Sequence, residues 1–275
     1  MTGDSWHAVR VRPAGDRAAV IAALFAAGSQ GIQEDGETIV THFPPETDID
    51  VVRAGIADAD PGASLDVSDA PVVDWSEAWK HGVGAHELGA LAIVPPWLAE
   101  GRDPARTIVI DPGMAFGTGE HETTRCVIRL LPGVISPGDR VADLGAGSAV
   151  LAIAAAKLGA SHVAAIELDP EAIANAEENV ERNGVADRVT VIEGDAGLLL
   201  PLVAPVQVVL ANIISSVLVE LLPAIGAALT PGGRAVLSGI LTEEQGDMLA
   251  VLAAEWQVVE EAVEGKWWSV VVARR

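Results

Sequence analysis

Within residues 141–170, VADLGAGSAVLAIAAAKLGASHVAAIELDP, four side-chain and backbone positions have the types and spacing to hold a charged small molecule. They are Asp143, the glycine pair Gly145 and Gly147, and Glu167. Glycines at the junction of a strand and a helix bring backbone N–H groups close to a ligand at the helix start. Glu167 follows Gly145 by 22 positions, about the spacing at which an acid at the next strand tip meets ribose hydroxyls. A dinucleotide fingerprint needs a third glycine where Val150 stands. Asp143, two residues ahead of the first glycine, is poorly suited to a pyrophosphate and well suited to the ammonium of an amino acid. An adenosine ligand with a methionine tail meets both conditions. A tight turn in another parallel α/β protein accounts for the glycines alone.

Further candidates lie on either side. The loop DPGMAFGTGEHETT, residues 111–124, has three glycines ahead of a helix expected near Thr123, so it can wrap a ligand closely. Phe116 and Gly117 fall inside this loop, and Thr123 and Thr124 offer hydroxyls where the helix opens. His121 has the chemistry of a base or metal ligand, but no His or Cys stands at metal spacing from it, and no metal is expected. The apolar run Val206–Leu210 reads as a buried parallel strand and leads to Asn212, at the strand end where doubly wound sheets bind ligands. Asp195 ends an earlier strand; it either reaches an adenine edge or caps the helix that follows.

These residues need a parallel sheet to present them. Strands are expected at 107–110, 141–144, 162–166, 188–192, 206–210 and 234–238. The alternating helices are placed near 123, then at 151–158, 170–183, after Ala196, at 217–229 and at 242–253. Pro231-Gly232-Gly233 reads as a turn, and 256–261 with 267–273 as a closing antiparallel hairpin across Glu264-Gly265. Parallel units followed by such a hairpin describe a class I methyltransferase sheet better than a dehydrogenase. Ahead of it, residues 6–12, 16–27, 31–34, 37–42, 47–57 and 64–67 read as β-α-β-β-α-β, a ferredoxin-like order, with Asp35-Gly36 as the hairpin turn. The expected domains are a substrate-capturing module at 1–69, a connector at 70–100 and the catalytic domain at 101–275. The connector is expected to hold one short helix, capped by Asp74 and carrying Trp75 and Trp79.

Of the 275 residues 50% are hydrophobic, and the formal charge is −22. That field repels a phosphate backbone and favours a basic protein partner, although acidity also serves solubility. Cys126 is the one cysteine, so an internal disulfide is excluded. The first residues lack the apolar core of a signal peptide, and no apolar run approaches the roughly 20 residues that span a bilayer. A cytoplasmic monomer without a membrane or nucleic-acid partner is expected.

DPGMAFGTGEHETT, VADLGAGSAVLAIAAAKLGA, IELDP, VVLANII, SGIL and WWSVVVARR together resemble the motifs of the PrmA family, methyltransferases of large-subunit ribosomal protein eleven. VDWSEAWK, residues 73–80, is also similar. The resemblance spans nearly the whole chain, and the FGTG-H-TT loop is its most specific part. It implies S-adenosylmethionine-dependent trimethylation of lysine side-chain and N-terminal amines of that ribosomal protein. It also implies a small N-terminal domain that recognises the substrate. The family's cofactor positions fall on Thr124, Gly145, Glu167 and Asn212. Glu120, Glu122, Ala149 and Glu167 depart from the family's usual threonine, proline, glycine and aspartate. In the expected mechanism an amine attacks the sulfonium methyl in line while Asn212 orients it. Such positioning alone is worth roughly 7–11 kcal/mol. The alternatives are a lysine methyltransferase for another protein and a noncatalytic cofactor-binding module of ribosome assembly. An adenine-methylating enzyme is disfavoured, because Ile213-Ile214-Ser215 replace the proline pair and aromatic that stack a flipped base.

Overall fold

The computed structural model describes residues 6–29, 31–70, 84–111 and 119–275. The chain forms two compact units, Met1–Gly82 and Val83–Arg275. The helix expected around Trp75 and Trp79, and the loop residues Phe116 and Gly117, lie outside the described residues.

In the first unit, β1 (Trp6–Arg12), α1 (Arg17–Ala26), β2 (Gln33–Asp35), β3 (Thr38–Phe43), α2 (Ile49–Ala59) and β4 (Ser64–Ala70) follow in order. The strands form an antiparallel sheet in the order β2-β3-β1-β4, the ferredoxin-like arrangement. Val9, Val11, Ile39 and Phe43 alternate onto one sheet face and pack on Val20, Leu24, Val52 and Ile56 of the helices. Asp16 and Asp48 cap α1 and α2 through Ala19 N–H and Asp50 N–H. The cap at Asp48 starts α2 two residues later than the sequence suggests. The hairpin turn is also displaced by one position. Asp35 pairs with Thr38, leaving Gly36-Glu37 as the loop, with Gly36 at φ +57° where a type II′ turn requires glycine.

The second unit is built on a seven-stranded sheet, order β10-β9-β8-β11-β12-β14-β13. Its strands are β8 (Arg140–Leu144), β9 (His162–Glu167), β10 (Val189–Glu193), β11 (Val206–Asn212), β12 (Leu229–Leu241), β13 (Trp256–Glu264) and β14 (Trp267–Arg274). β8 to β12 pair in parallel, and β14 runs antiparallel between β12 and β13. Helices α3 (Glu122–Leu130), α4 (Val150–Lys157) and α5 (Pro170–Arg182) share an apolar layer with Val141, Val163, Val208 and Leu210. Ala142, Leu144, Val209 and Leu237 face the opposite layer with α6 (Ala196–Val203), α7 (Ser215–Ala228) and α8 (Gln245–Leu252). This two-sided burial explains why the central strands read as continuous apolar runs. Pro231-Gly232-Gly233 does not precede the strand, as the sequence suggests, but bulges within it. Leu229 pairs with Val206, and pairing resumes at Arg234 with Val208.

The expected connector at 70–100 is corrected in its second half. β5 (His86–Leu88) and β6 (Leu91–Val94) form a hairpin, and β6 pairs in parallel with β7 (Thr107–Val109). Leu88, Leu91, Ile93 and Ile108 join the apolar layer under α3 and α4. Burial of these aliphatic side chains makes this stretch part of the second unit, which begins at Val83 and not at residue 101.

Candidate active site

The carboxyl ends of β8, β9 and β11 and the first turn of α3 carry most of the residues singled out above. Asp143 shares a face with Val141, so strand alternation turns its carboxylate into the apolar layer, where it is 0% exposed. Its Oδ2 accepts Ala152 N–H of α4 at 3.0 Å, while Oδ1 has no partner. Burial is the main cause that pushes its carboxyl up to about 7; the Ala152 N–H opposes the shift and the Glu167 charge adds to it.

The glycine turn then reverses the chain. Gly145 and Gly147 have φ of +66° and +53°. A Cβ on Gly145 would lie 2.6 Å from Ile213 Cγ2, so the missing side chain is what lets the turn approach the end of β11. Ala149 stands at φ +62°, also left-handed. This accounts for the family's glycine there, and alanine costs about 1–2 kcal/mol in that conformation. Glu167 at the tip of β9 accepts Gly147 N–H through Oε2 at 2.8 Å, and Leu168 and Asp169 N–H through Oε1 at 2.8 and 2.9 Å. The carboxylate is therefore tied to the glycine turn, half-buried, with further lone pairs on both oxygens.

Asn212 is the last residue of β11, two positions beyond the expected strand end, and its Oδ1 is buried without a partner. Parallel pairing sets Ala211 beside Leu144 and Asn212 beside Ser238. Gly239, at φ +83°, follows immediately, and a Cβ there would sit 2.3 Å from Ile213 O. Asn212-Ile213 is thus seated between two glycines, Gly145 and Gly239. The sequence shows Gly239 only as part of SGIL; its packing partner is distant in the chain.

α3 opens with His121 as its cap: Nδ1 receives Thr123 N–H at 3.4 Å and lies 2.7 Å from Thr123 Oγ1. His121 therefore has a structural task at the helix end in addition to facing the cleft. Thr124 is fully buried and its Oγ1 has no partner. Arg125 and Arg129, one turn apart on α3, both bond the Glu264 carboxylate, which clamps the helix to the terminal hairpin. Burial raises the Glu264 carboxyl, but the bonds from Arg125 and Arg129 outweigh it and leave it below the usual carboxylate value. A cleft of ≈ 430 Å³ opens between these elements, walled by His121, Thr123, Asn212, Ile213, Val217 and Trp267 among others. Asp195 stands apart from this cleft. It is exposed and caps α6, with Oδ1 accepting Leu198 N–H at 3.0 Å, the structural one of its two expected roles.

Two asparagines absent from the sequence-based candidates, Asn179 on α5 and Asn183 at its C-cap, hold β7 and Asp111. Asn183 Oδ1 accepts Val109 N–H at 2.8 Å and its Nδ2 donates to Val109 O at 2.7 Å, completing the edge of β7. Asn179 accepts Asp111 N–H and donates to Ser148 O of the glycine turn. Polar residues four apart on the buried face of an amphipathic helix are the signal that would have found them.

Among the described residues, the buried side-chain oxygens without a partner are Thr124 Oγ1, Asp143 Oδ1 and Asn212 Oδ1. An unsatisfied buried polar group costs about 1–3 kcal/mol, so three at converging element ends indicate a site shaped for a polar ligand. The family model described as Ribosomal protein L11 methyltransferase (PrmA) matches residues 16–275. The chain is 37% identical to the ribosomal protein L11 methyltransferase of Thermus thermophilus, covering 90% of this chain and 91% of that one. It is 41% identical to that of Chloroflexus aurantiacus, covering 73% of this chain and 69% of the relative. The crystal structure of ribosomal protein L11 methylase from Lactobacillus delbrueckii subsp. bulgaricus aligns with TM-score 0.61 and 32% identity, over 70% of this chain and 98% of that chain. The chain belongs to the ribosomal protein L11 methyltransferase family.

Proposed function

We propose that this methyltransferase modifies lysine side-chain and N-terminal amino groups of ribosomal protein eleven, with the cleft at Asn212 taking the acceptor nitrogen. The relatives' names supply the ribosomal substrate. The observation that carries the site is the trio of unpartnered buried oxygens on Thr124, Asp143 and Asn212.

The residues fit S-adenosylmethionine, which supplies an electrophilic methyl on a sulfonium when bound. Asp143 offers a carboxylate oxygen for its ammonium, Glu167 offers lone pairs for the ribose hydroxyls, and Thr124 offers a hydroxyl to the tail. Gly145 and Gly147 let backbone amides come close, and Phe116 and Gly117 of the preceding loop complete the set of binding residues. Asp195 keeps its second carboxylate oxygen for the adenine edge. Asn212 Oδ1 and the neighbouring backbone carbonyl orient the acceptor amine. A lysine, with an ordinary pKa near 10.4, must lose a proton before it attacks. Ile213, Ile214 and Val217 give the cleft apolar walls that disfavour the charged amine. The proposed working unit is a monomer. Among the described residues no helix is long and apolar enough to cross a membrane; the cytoplasm is the proposed place of action. The ferredoxin-like unit recognises the substrate.

The test is transfer of labelled methyl groups to purified ribosomal protein eleven. The unaltered enzyme should label it, and Asn212→Ala should lower the rate at least about 100-fold even at saturating cofactor, whose affinity calorimetry should find weakened because Asn212 is also one of the cofactor positions. Binding without transfer by the unaltered enzyme would leave a noncatalytic module. Full activity in Asn212→Ala would remove that residue from the mechanism.

A further inference from the structure

Beyond Asn212, the acceptor cleft has an aromatic wall. His121 and Trp267 face each other with ring centroids 5.0 Å apart and planes inclined at 60°, forming a corner and not a stack. Ile213 and Val217 supply aliphatic surface beside it. The exposed Lys266 places Nζ 5.5 Å from the Trp267 ring centroid, inside the range of about 6 Å over which a cation is held by an indole face. The indole of Trp267, itself a wall of the cleft, thus lies within reach of an ammonium group. We propose that Trp267, with His121, forms a subsite for the methylated ammonium, and that this aromatic corner favours the last of the transfers the family resemblance implies over the first.

This rests on taking the cleft as the acceptor site, and the argument is one of changing hydrogen-bond capacity. Each transfer forms a nitrogen–carbon bond from the amine lone pair as a sulfur–carbon bond breaks, leaving a neutral thioether and moving the positive charge onto nitrogen. A proton then passes to water before the next round. A primary ammonium has three N–H groups, and each added methyl removes one. Asn212 Oδ1 stabilises the nascent charge only through N–H, so it contributes least in the last transfer, whose product has no N–H at all. A π face attracts the charge through its quadrupole whether or not an N–H remains. Methyl groups also gain contact with aliphatic walls. The wall is held in place, because Glu264, three residues before Trp267, is bonded to Arg125 and Arg129 of the helix that His121 caps.

Tetramethylammonium is the probe. Titrated into the full chain, it should shift the indole N–H resonance of Trp267, identified by its disappearance in Trp267→Leu, and by more than ammonium does at equal concentration, since ammonium lacks the methyl contacts with the aliphatic walls. In parallel, the mass of ribosomal protein eleven is followed through the reaction. Trp267→Leu should accumulate partly methylated forms, with the ratio of last to first transfer rates lowered about tenfold. Trp267→Phe should stay near the unaltered ratio. An unmoved indole resonance, or a Trp267→Leu enzyme that slows every transfer by one common factor, would overturn the subsite. If Trp267→Leu does not fold, the titration of the unaltered chain, with the resonance identified through Trp267→Phe, still decides. Failure of the unaltered enzyme to methylate ribosomal protein eleven would instead count against the substrate assignment and leave the titration to judge the subsite.

Discussion

Asp143 sets stability against function most directly. Its carboxyl is buried, one oxygen is unpartnered, and its pKa is raised to about 7 from an ordinary 3.8. The native chain therefore holds a proton that the unfolded chain has already released. Stability falls as pH rises between about 4 and about 7, and the whole penalty is present above that. Asp143→Asn removes the titration and keeps an acceptor for Ala152 N–H. Denaturant unfolding should show this variant gaining on the unaltered chain by about 2 kcal/mol more at pH 8 than at pH 5. Cofactor affinity should fall at the same time, roughly 10- to 100-fold, because a carboxylate facing an ammonium is lost. An equal stability change at both pH values would show that Asp143 is ionised throughout. On the proposed cofactor site, the carboxylate is kept at a cost that a cationic ligand would repay.

Among the elements, α3 and the β13–β14 hairpin have to be held together for the cleft to exist. Arg125 and Glu264 are 139 residues apart in sequence, and their side chains are only 16% and 23% exposed. That burial lifts the pair above an ordinary surface contact, to about 1–2 kcal/mol after allowance for solvent screening. Glu264→Gln should lower stability by that amount near neutral pH and raise KM for the protein substrate severalfold. Because the Glu264 pKa is depressed in the folded chain, the deficit should vanish as pH falls through it. Thermal melts at pH 7 and about pH 3 separate this outcome from a pH-independent packing defect. The same separation in sequence explains what was legible. The glycine turn, Glu167 and Asn212 stand at ends of strands whose apolar runs are local, so they could be placed from pattern alone. Gly239, Trp267 and the Asn179–Asn183 pair owe their roles to partners on distant elements, which no local spacing reveals. The bulge at 230–233 was hidden for a related reason, since Pro-Gly-Gly suits a turn and a bulge equally well.

At the scale of the whole molecule, the two units have separate apolar cores, one under the ferredoxin-like sheet and the others on the two faces of the seven-stranded sheet. The order of elements was readable across both units, since β-α-β-β-α-β and alternating parallel units each impose their own periodicity. The join was not, because the hairpin 86–94 resembles a connector until its leucines are seen buried with Ile108. Over both units lies a formal charge of −22. A field of that size would attract a basic protein substrate at long range and hasten encounter, and salt would screen it within about 10 Å at 0.1 M. kcat/KM for the protein substrate should therefore fall about tenfold between about 0.02 and 0.3 M salt, whereas kcat at saturating substrate should hold. If acidity served solubility alone, kcat/KM would be flat across that range. A control with a short peptide amine balanced to zero net charge by one acidic residue removes most of the long-range term and should show little salt dependence, so the slope difference between the two substrates measures how far the charge acts in recognition.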